Sequence, residues 1–210
     1  MRTWGRGSLS GIVASFTPGV GRLLGPETTV MALKATVCKA RLNIADMDRG
    51  YYHEHGLTLA QHPSETDERL MVRLLAFALN AHGELTFTKG LSTDDEPELW
   101  RRGWADEIPL WIELGLPDES RIRKACNRAD QVRIYAYGGR PAAVWRREMG
   151  NSFSRFSNLE VFELPRDATQ AIADMAGKSM TLQCTVQDGQ VGLGDERDHV
   201  LLEPTRLYPL

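Results

Sequence analysis

The stretch Leu110-Trp111-Ile112-Glu113-Leu114-Gly115 decides the fold. Apolar side chains fall on both of its faces, so it reads as a buried strand covered by helices on both sides. One carboxylate, Glu113, interrupts the run. A carboxylate there loses its hydration, a heavy penalty unless something offsets it. It must be protonated, salt-bridged or bound to a cation. The structural account pairs Glu113 with Arg121 or another base; the functional account puts it in a metal or acid–base site.

The pattern continues in both directions from this strand. Pro117-Asp118 starts a helix to about Asp130, with Ile122, Ala125, Cys126 and Ala129 as its buried stripe. A strand over 132–137 follows and is closed by Gly138-Gly139. Upstream, His62-Pro63-Ser64 opens a helix with Ser64 as cap and Asp67 three residues on. Leu70, Met71, Leu74, Leu75 and Ala78 form its core face. Leu85 and Phe87 alternate with Thr86 and Thr88 in a short strand. The connection 90–109 is long enough to carry function or local structure. From Ser64 onward the order is α, β, β, α, β. Strands over 31–45 and 51–60 flank the turn 46–50, and 180–187 and 190–193 flank Asp188-Gly189, a strong hairpin signal. Helices over 141–149 and 167–177 enclose a strand at 159–164, and 199–207 adds a last strand.

Composition sets limits. The 210 residues carry 25 basic and 28 acidic side chains, net −3, so bulk charge does not announce a nucleic-acid binder; a local basic stripe is needed. Segment 1–30 is glycine-rich, with Arg2, Arg6 and Arg22 against Glu27, and lacks the continuous apolar core of a signal peptide. It reads as a disordered leader or a misassigned start, leaving 31–210 as a single domain. No run approaches the roughly 20 apolar residues of a membrane span. Cys38, Cys126 and Cys184 are far apart, with no C-x-x-C, so a reducing cytoplasm fits.

Three further groups frame the candidate site. Asp94, Asp95, Glu96 and Glu98 flank Pro97. Acids at a helix start suit the dipole, yet four within five residues exceed what one cap requires. If some converge with Glu113, a cation relieves their repulsion, about 4 kcal/mol per pair at 4 Å and an effective dielectric of 20. Hard oxygen ligands select Mg²⁺ or Mn²⁺. Arg121, Lys124 and Arg128 form one row on the second helix, either a solvated basic face or a phosphate-facing stripe. Glu65 and Glu68 open the first helix, as dipole-favoured acids or as supporting ligands.

The chain resembles the YaeQ family. The resemblance rests on Met31-Ala-Leu-Lys-Ala-Thr36, His62-Pro-Ser-Glu-Thr-Asp-Glu-Arg69, Asp94-Asp-Glu-Pro-Glu98 and Trp111-Ile-Glu-Leu-Gly-Leu-Pro-Asp-Glu119 running into Arg121, Lys124 and Ala125. Thr181-Leu-Gln183 and Gln187-Asp-Gly189 add to it. The resemblance implies an α/β, restriction-endonuclease-like core of the PD-(D/E)XK superfamily, order αβββαβ, a mixed sheet flanked by helices, with antiparallel hairpins at both ends. It also implies one metal-binding acid in the Asp94–Glu98 segment, Asp95 being the choice with Asp94 beside it, a second in Glu113, and a glutamate of the first helix, Glu68 or Glu65. The superfamily's lysine two residues after the strand acid is absent, because position 115 is glycine. Lys124 or Arg121 is the candidate to replace it.

Two functions follow. The first is a Mg²⁺- or Mn²⁺-dependent nuclease acting on DNA or RNA: Asp95 and Glu113 bind the metal, Lys124 or Arg121 serves the chemistry, and Arg121, Lys124 and Arg128 hold the nucleic acid. The alternative is a catalytically inactive member, binding nucleic acid or a protein partner in gene expression. Either is expected to be cytoplasmic, monomeric and free of membrane.

Overall fold

The computed structural model describes residues 35–88 and 95–210. The leader expected over 1–30, the start of the first strand and Asp94 lie outside the described residues. Within them the fold is mixed α/β, with two mixed sheets and four helices.

The first sheet joins the two hairpins read in the sequence. Strands β1 (Thr36–Asp46) and β2 (Tyr51–Gln61) pair antiparallel in register from Thr36↔Gln61 to Asp46↔Tyr51. Strands β8 (Ser179–Gln187) and β9 (Gln190–Gly194) form the second hairpin, with β10 (His199–Leu202) beside β9. Asp188 and Gly189 both have positive φ, 52° and 77°, as a two-residue hairpin turn demands. The hairpins are not appendages to a central sheet, as expected. β1 runs parallel to β8, giving a five-stranded sheet in the order β10-β9-β8-β1-β2. The Asp48 carboxylate accepts from the amides of Asp188 and Gly189 at 2.8 and 2.9 Å, fastening one turn to the other.

The second sheet holds the run that opened the sequence reading. Helix α1 (Asp67–Leu79) precedes β3 (Leu85–Phe87), β4 (Leu99–Arg101) and β5 (Leu110–Leu114); helix α2 (Glu119–Arg128) leads to β6 (Val132–Ala136). Helix α3 (Arg140–Phe153), β7 (Leu159–Glu163) and helix α4 (Arg166–Ala173) follow. β11 (Thr205–Tyr208) completes the order β11-β7-β6-β5-β4-β3. β5, β6 and β7 are parallel, whereas β3, β4 and β5 are antiparallel. The single last strand expected over 199–207 is two strands in different sheets, β10 and β11. The break falls at Glu203-Pro204, where proline removes a ladder donor.

α1 lies between the sheets. Every residue from Leu70 to Ala78 is buried, so the helix has no solvated face over that span. It shares one core with the inner face of the first sheet, with α4, and with Leu110, Ile112 and Leu114 of β5. The other face of β5 presents Trp111 to a second core, filled by Ile122 and Ala125 of α2 and Trp145 and Phe153 of α3. The cap of α1 is Thr66, which accepts from the Arg69 amide, and not Ser64. Ser64 is taken by the His62 ring, 2.7 Å away. α2 starts at the Pro117-Asp118 step, as expected, and its cap is Asp118, which accepts from the Arg121 amide. No helix among the described residues is long and apolar enough to cross a membrane.

Candidate functional site

β4 and β5 set two acids side by side. Leu99 pairs with Ile112, and the amide of Glu98 donates to the Ile112 carbonyl at 3.0 Å. The ladder ends there, and the bend before β4 brings the Glu98 carboxylate close enough to Glu113 to act on it electrostatically. Their relative exposures are only 3% and 2%. Glu113 Oε1 accepts from Trp111 Nε1 at 2.7 Å and is 2.9 Å from Arg121 Nε. Burial pushes the Glu113 carboxyl above the usual range, Arg121 and Trp111 pull it back, and neighbouring Glu98 pushes it up further.

Helix α1 supplies the opposing charges. Arg69 and Arg73, one turn apart, both point at Glu98. Arg69 forms a hydrogen-bonded ion pair with Glu98 Oε1, while Arg73 Nε stands 3.6 Å from Oε2. Arg73 Nη1 donates to both oxygens of Glu65 at 3.1 Å, and to the Ala60 carbonyl at 3.3 Å. Tyr137, at the end of β6, hydrogen-bonds Arg69, and burial raises its phenol while Arg69 lowers it. Three buried acids, Glu65, Glu98 and Glu113, thus face three guanidinium groups, Arg69, Arg73 and Arg121. Three atoms in the cluster are buried with no hydrogen-bond partner: Arg69 Nε, Arg73 Nε and Glu98 Oε2.

A model of the family described as YaeQ protein matches residues 31–204. The chain belongs to the YaeQ family. An uncharacterized YaeQ protein from Salmonella typhi is 47% identical over 175 residues, covering 83% of this chain and 97% of the relative. One from Escherichia coli K12 is 47% identical over 170 residues, covering 81% and 94%. The crystal structure of YaeQ from Xanthomonas axonopodis pv. citri aligns with a TM-score of 0.80 at 52% identity, covering 82% of this chain and 97% of that one. That of YaeQ from Pseudomonas syringae aligns at 0.80 with 32% identity, covering 84% and 97%.

In this member of the YaeQ family the acids named from the sequence do not gather as one group. Asp95 has a side chain 82% exposed and paired with Lys124, which holds its carboxyl below the usual range. Arg128 Nη1 donates to the Asp95 carbonyl at 2.8 Å, and Arg121 Nη2 to that of Glu96 at 2.9 Å. The basic row of α2 is therefore a clasp on the segment Asp95-Glu96, with Arg121 reaching inward to Glu113 as well. Glu68 accepts from Thr169 Oγ1 of α4 at 2.6 Å, and Glu65 is locked to Arg73. Glu113 joins Glu98, not Asp95.

Glu98 stood in the acidic group weighed from the sequence, where Asp95 was the choice; Arg69, Arg73 and Tyr137 were not named for the site. A signal for Arg73 was present: it lies among Leu70, Val72 and Leu74 on an apolar helix, where a charge demands a buried partner. Gly115 has φ +87°, so a lysine there would be strained. A Cβ at that position would lie 3.9 Å from Arg69 Nη1, so the cation nearest the vacant lysine position comes from α1, not from α2.

Mg²⁺ takes oxygen ligands and brings two positive charges. Here each buried carboxylate already faces a guanidinium, so the cluster is balanced before an ion enters. Among the described residues no three acid, histidine or cysteine side chains converge as a metal-holding group. This arrangement does not fit a resident divalent cation. Nor are the described cysteines suited to nucleophilic work, since burial pushes the Cys126 thiol up to about 11 and Cys184 up to about 12.

Proposed function

We propose that this chain is a restriction-endonuclease-like protein that binds nucleic acid in the cytoplasm without hydrolysing it. The element order α1-β3-β4-β5-α2-β6, with β3 to β5 antiparallel and β6 parallel to β5, supports the nuclease-like ancestry. So does the placing of Pro97-Glu98, just before β4, next to the β5 strand that carries Glu113. The observation that carries the non-hydrolytic reading is the 2.9 Å ion pair between Glu113 and Arg121, beside a Glu98 held by Arg69 and Arg73. Binding a dication would mean displacing guanidinium groups that already satisfy buried acids, at a penalty of several kcal/mol per uncompensated ion.

The test is a pair of measurements on DNA and RNA oligonucleotides. Incubation with Mg²⁺ or Mn²⁺ should give equal, background cleavage for wild type and Glu113→Gln. Anisotropy titration should show binding that weakens steeply with salt, through counterion release. Metal-dependent cleavage that Glu113→Gln abolishes would overturn the reading, as would the absence of oligonucleotide binding.

A second reading, a metal-dependent phosphodiesterase, is favoured by Glu98 Oε2, a buried acceptor with no hydrogen-bond partner. It requires Arg69 and Arg121 to leave the two acids first, and the cleavage experiment separates it from the first.

A further inference from the structure

The turn that joins β4 to β5 presents a bare indole. Trp104 is 98% exposed, yet the turn around it is built rather than loose. Gly103 N donates to the Glu107 carbonyl at 2.9 Å, and Ala105 N to Glu107 Oε2 at 2.8 Å. Arg102 is ion-paired with Asp106, whose φ is +68°. Glu107 folds in so closely that a Cβ at Gly103 would meet its carboxylate, which would have to swing aside. The same hairpin carries the acid pair: Glu98 precedes β4 and Glu113 lies in β5.

Between the acid pair and the turn, indoles alternate with guanidinium groups. Trp100 and Trp111 are cross-strand partners with ring centroids 6.2 Å apart, meeting edge to face. Arg102 lies 4.8 Å over the Trp100 ring, and Arg128 5.3 Å over the Trp111 ring. Trp104 stands two residues beyond Arg102, in the turn, with its indole in solvent.

We propose that Trp104 is a base-stacking contact for single-stranded nucleic acid. This rests on the nucleic-acid-binding reading above and names its partner more closely. A lone indole stacks on any base whose π-face is free, whereas bases within a duplex hide theirs. A protein hot spot would instead sit within apolar neighbours that exclude water. Trp104 is 98% exposed, and its sequence neighbours Arg102, Gly103, Ala105, Asp106 and Glu107 include no large apolar side chain. Stacking a flat base on a flat ring needs no such surround.

The experiment uses the full chain, EDTA and fluorescein-labelled (dT)12, with inorganic polyphosphate as a polyanion that has no bases. Trp104→Ala should weaken (dT)12 binding by about 5- to 150-fold, the loss expected for one base–aromatic stack. Trp104→Phe should retain most of the affinity, and polyphosphate binding should be equal in all three proteins. Because Trp104 packs on nothing, circular dichroism should be unchanged. Equal (dT)12 affinity in wild type and Trp104→Ala overturns the assignment while leaving the binding reading in place. A parallel loss of polyphosphate affinity overturns it as well, by making the contribution electrostatic. Loss of a self-associated species with unchanged (dT)12 affinity makes Trp104 a protein contact and overturns it too. Wild-type protein that binds no oligonucleotide removes both proposals. Detected cleavage removes only the non-hydrolytic one.

Discussion

Asp95 and Glu98 stand three residues apart in one acidic run, yet they belong to two regions with different physics. Around Asp95, α2 offers Lys124 and Arg128 in water, where both partners stay hydrated and salt screens them. Around Glu98, α1 offers Arg69 and Arg73 inside the protein, where neither charge has another solvent to turn to. The two regions have similar inventories, acids opposed by bases, and burial alone separates them. The difference teaches that charge pairing fixes geometry at the outer clasp but is a condition of folding at the inner cluster. Three ways of breaking the pairs sharpen that contrast.

The largest effect is expected from Arg73→Ala, which strands Glu65 and deprives Glu98 of one of its two cations. Truncating one partner of a buried pair costs about 3–5 kcal/mol. At roughly 2–4 °C per kcal/mol for a domain of this size, the melting temperature should fall by roughly 6–20 °C, read by circular dichroism.

An intermediate effect belongs to Glu113. Glu113→Ala removes the acceptor of Trp111 and the partner of Arg121 and should cost about 2–4 kcal/mol in urea titrations. Glu113→Gln keeps an acceptor oxygen and should cost no more than about 1.5 kcal/mol. The pH dependence has a definite sign. The folded carboxyl is raised above its ordinary 4.5, so between 4.5 and the raised value the folded chain holds more proton than the unfolded one. Stability from this group is therefore greatest at low pH and falls as pH rises through that window. The stability of wild type relative to Glu113→Gln should drop across it. A difference that grows with pH would show that the ion pair with Arg121 outweighs burial.

The smallest effect should come from Asp95→Asn at the outer clasp. Its melt should match wild type within experimental scatter at moderate salt, because the carboxylate is in water with or without Lys124. A shift approaching that of Arg73→Ala would erase the distinction between the two regions.

The central strand and its acid were legible because an uninterrupted apolar run with one carboxylate is a conflict that only burial with a partner resolves. The guanidinium partner of Glu113 was among the alternatives that the sequence left open. β4 was not legible: three residues, Leu99 to Arg101, are too few to show a period, and without that strand nothing told Glu98 from Asp95. The hairpins were read correctly from turn chemistry, but their union was not, since the parallel pairing of β1 with β8 joins segments that no local pattern connects. α1 was read as having one core face, and its burial all round follows from a second sheet that the hairpins build only in three dimensions.

The pairing of β1 with β8 also bears on how the chain is made. β1 lies in the interior of its sheet, between β2 and a strand that leaves the ribosome more than a hundred residues later. Until then one edge of β1 stays open, and Cys38, Ala40, Leu42 and Ile44 lack their neighbours from the other hairpin. Contacts so distant in sequence make closure slow, because the intervening loop must be ordered first. The nascent chain therefore carries an exposed edge of β1 until β8 has been made.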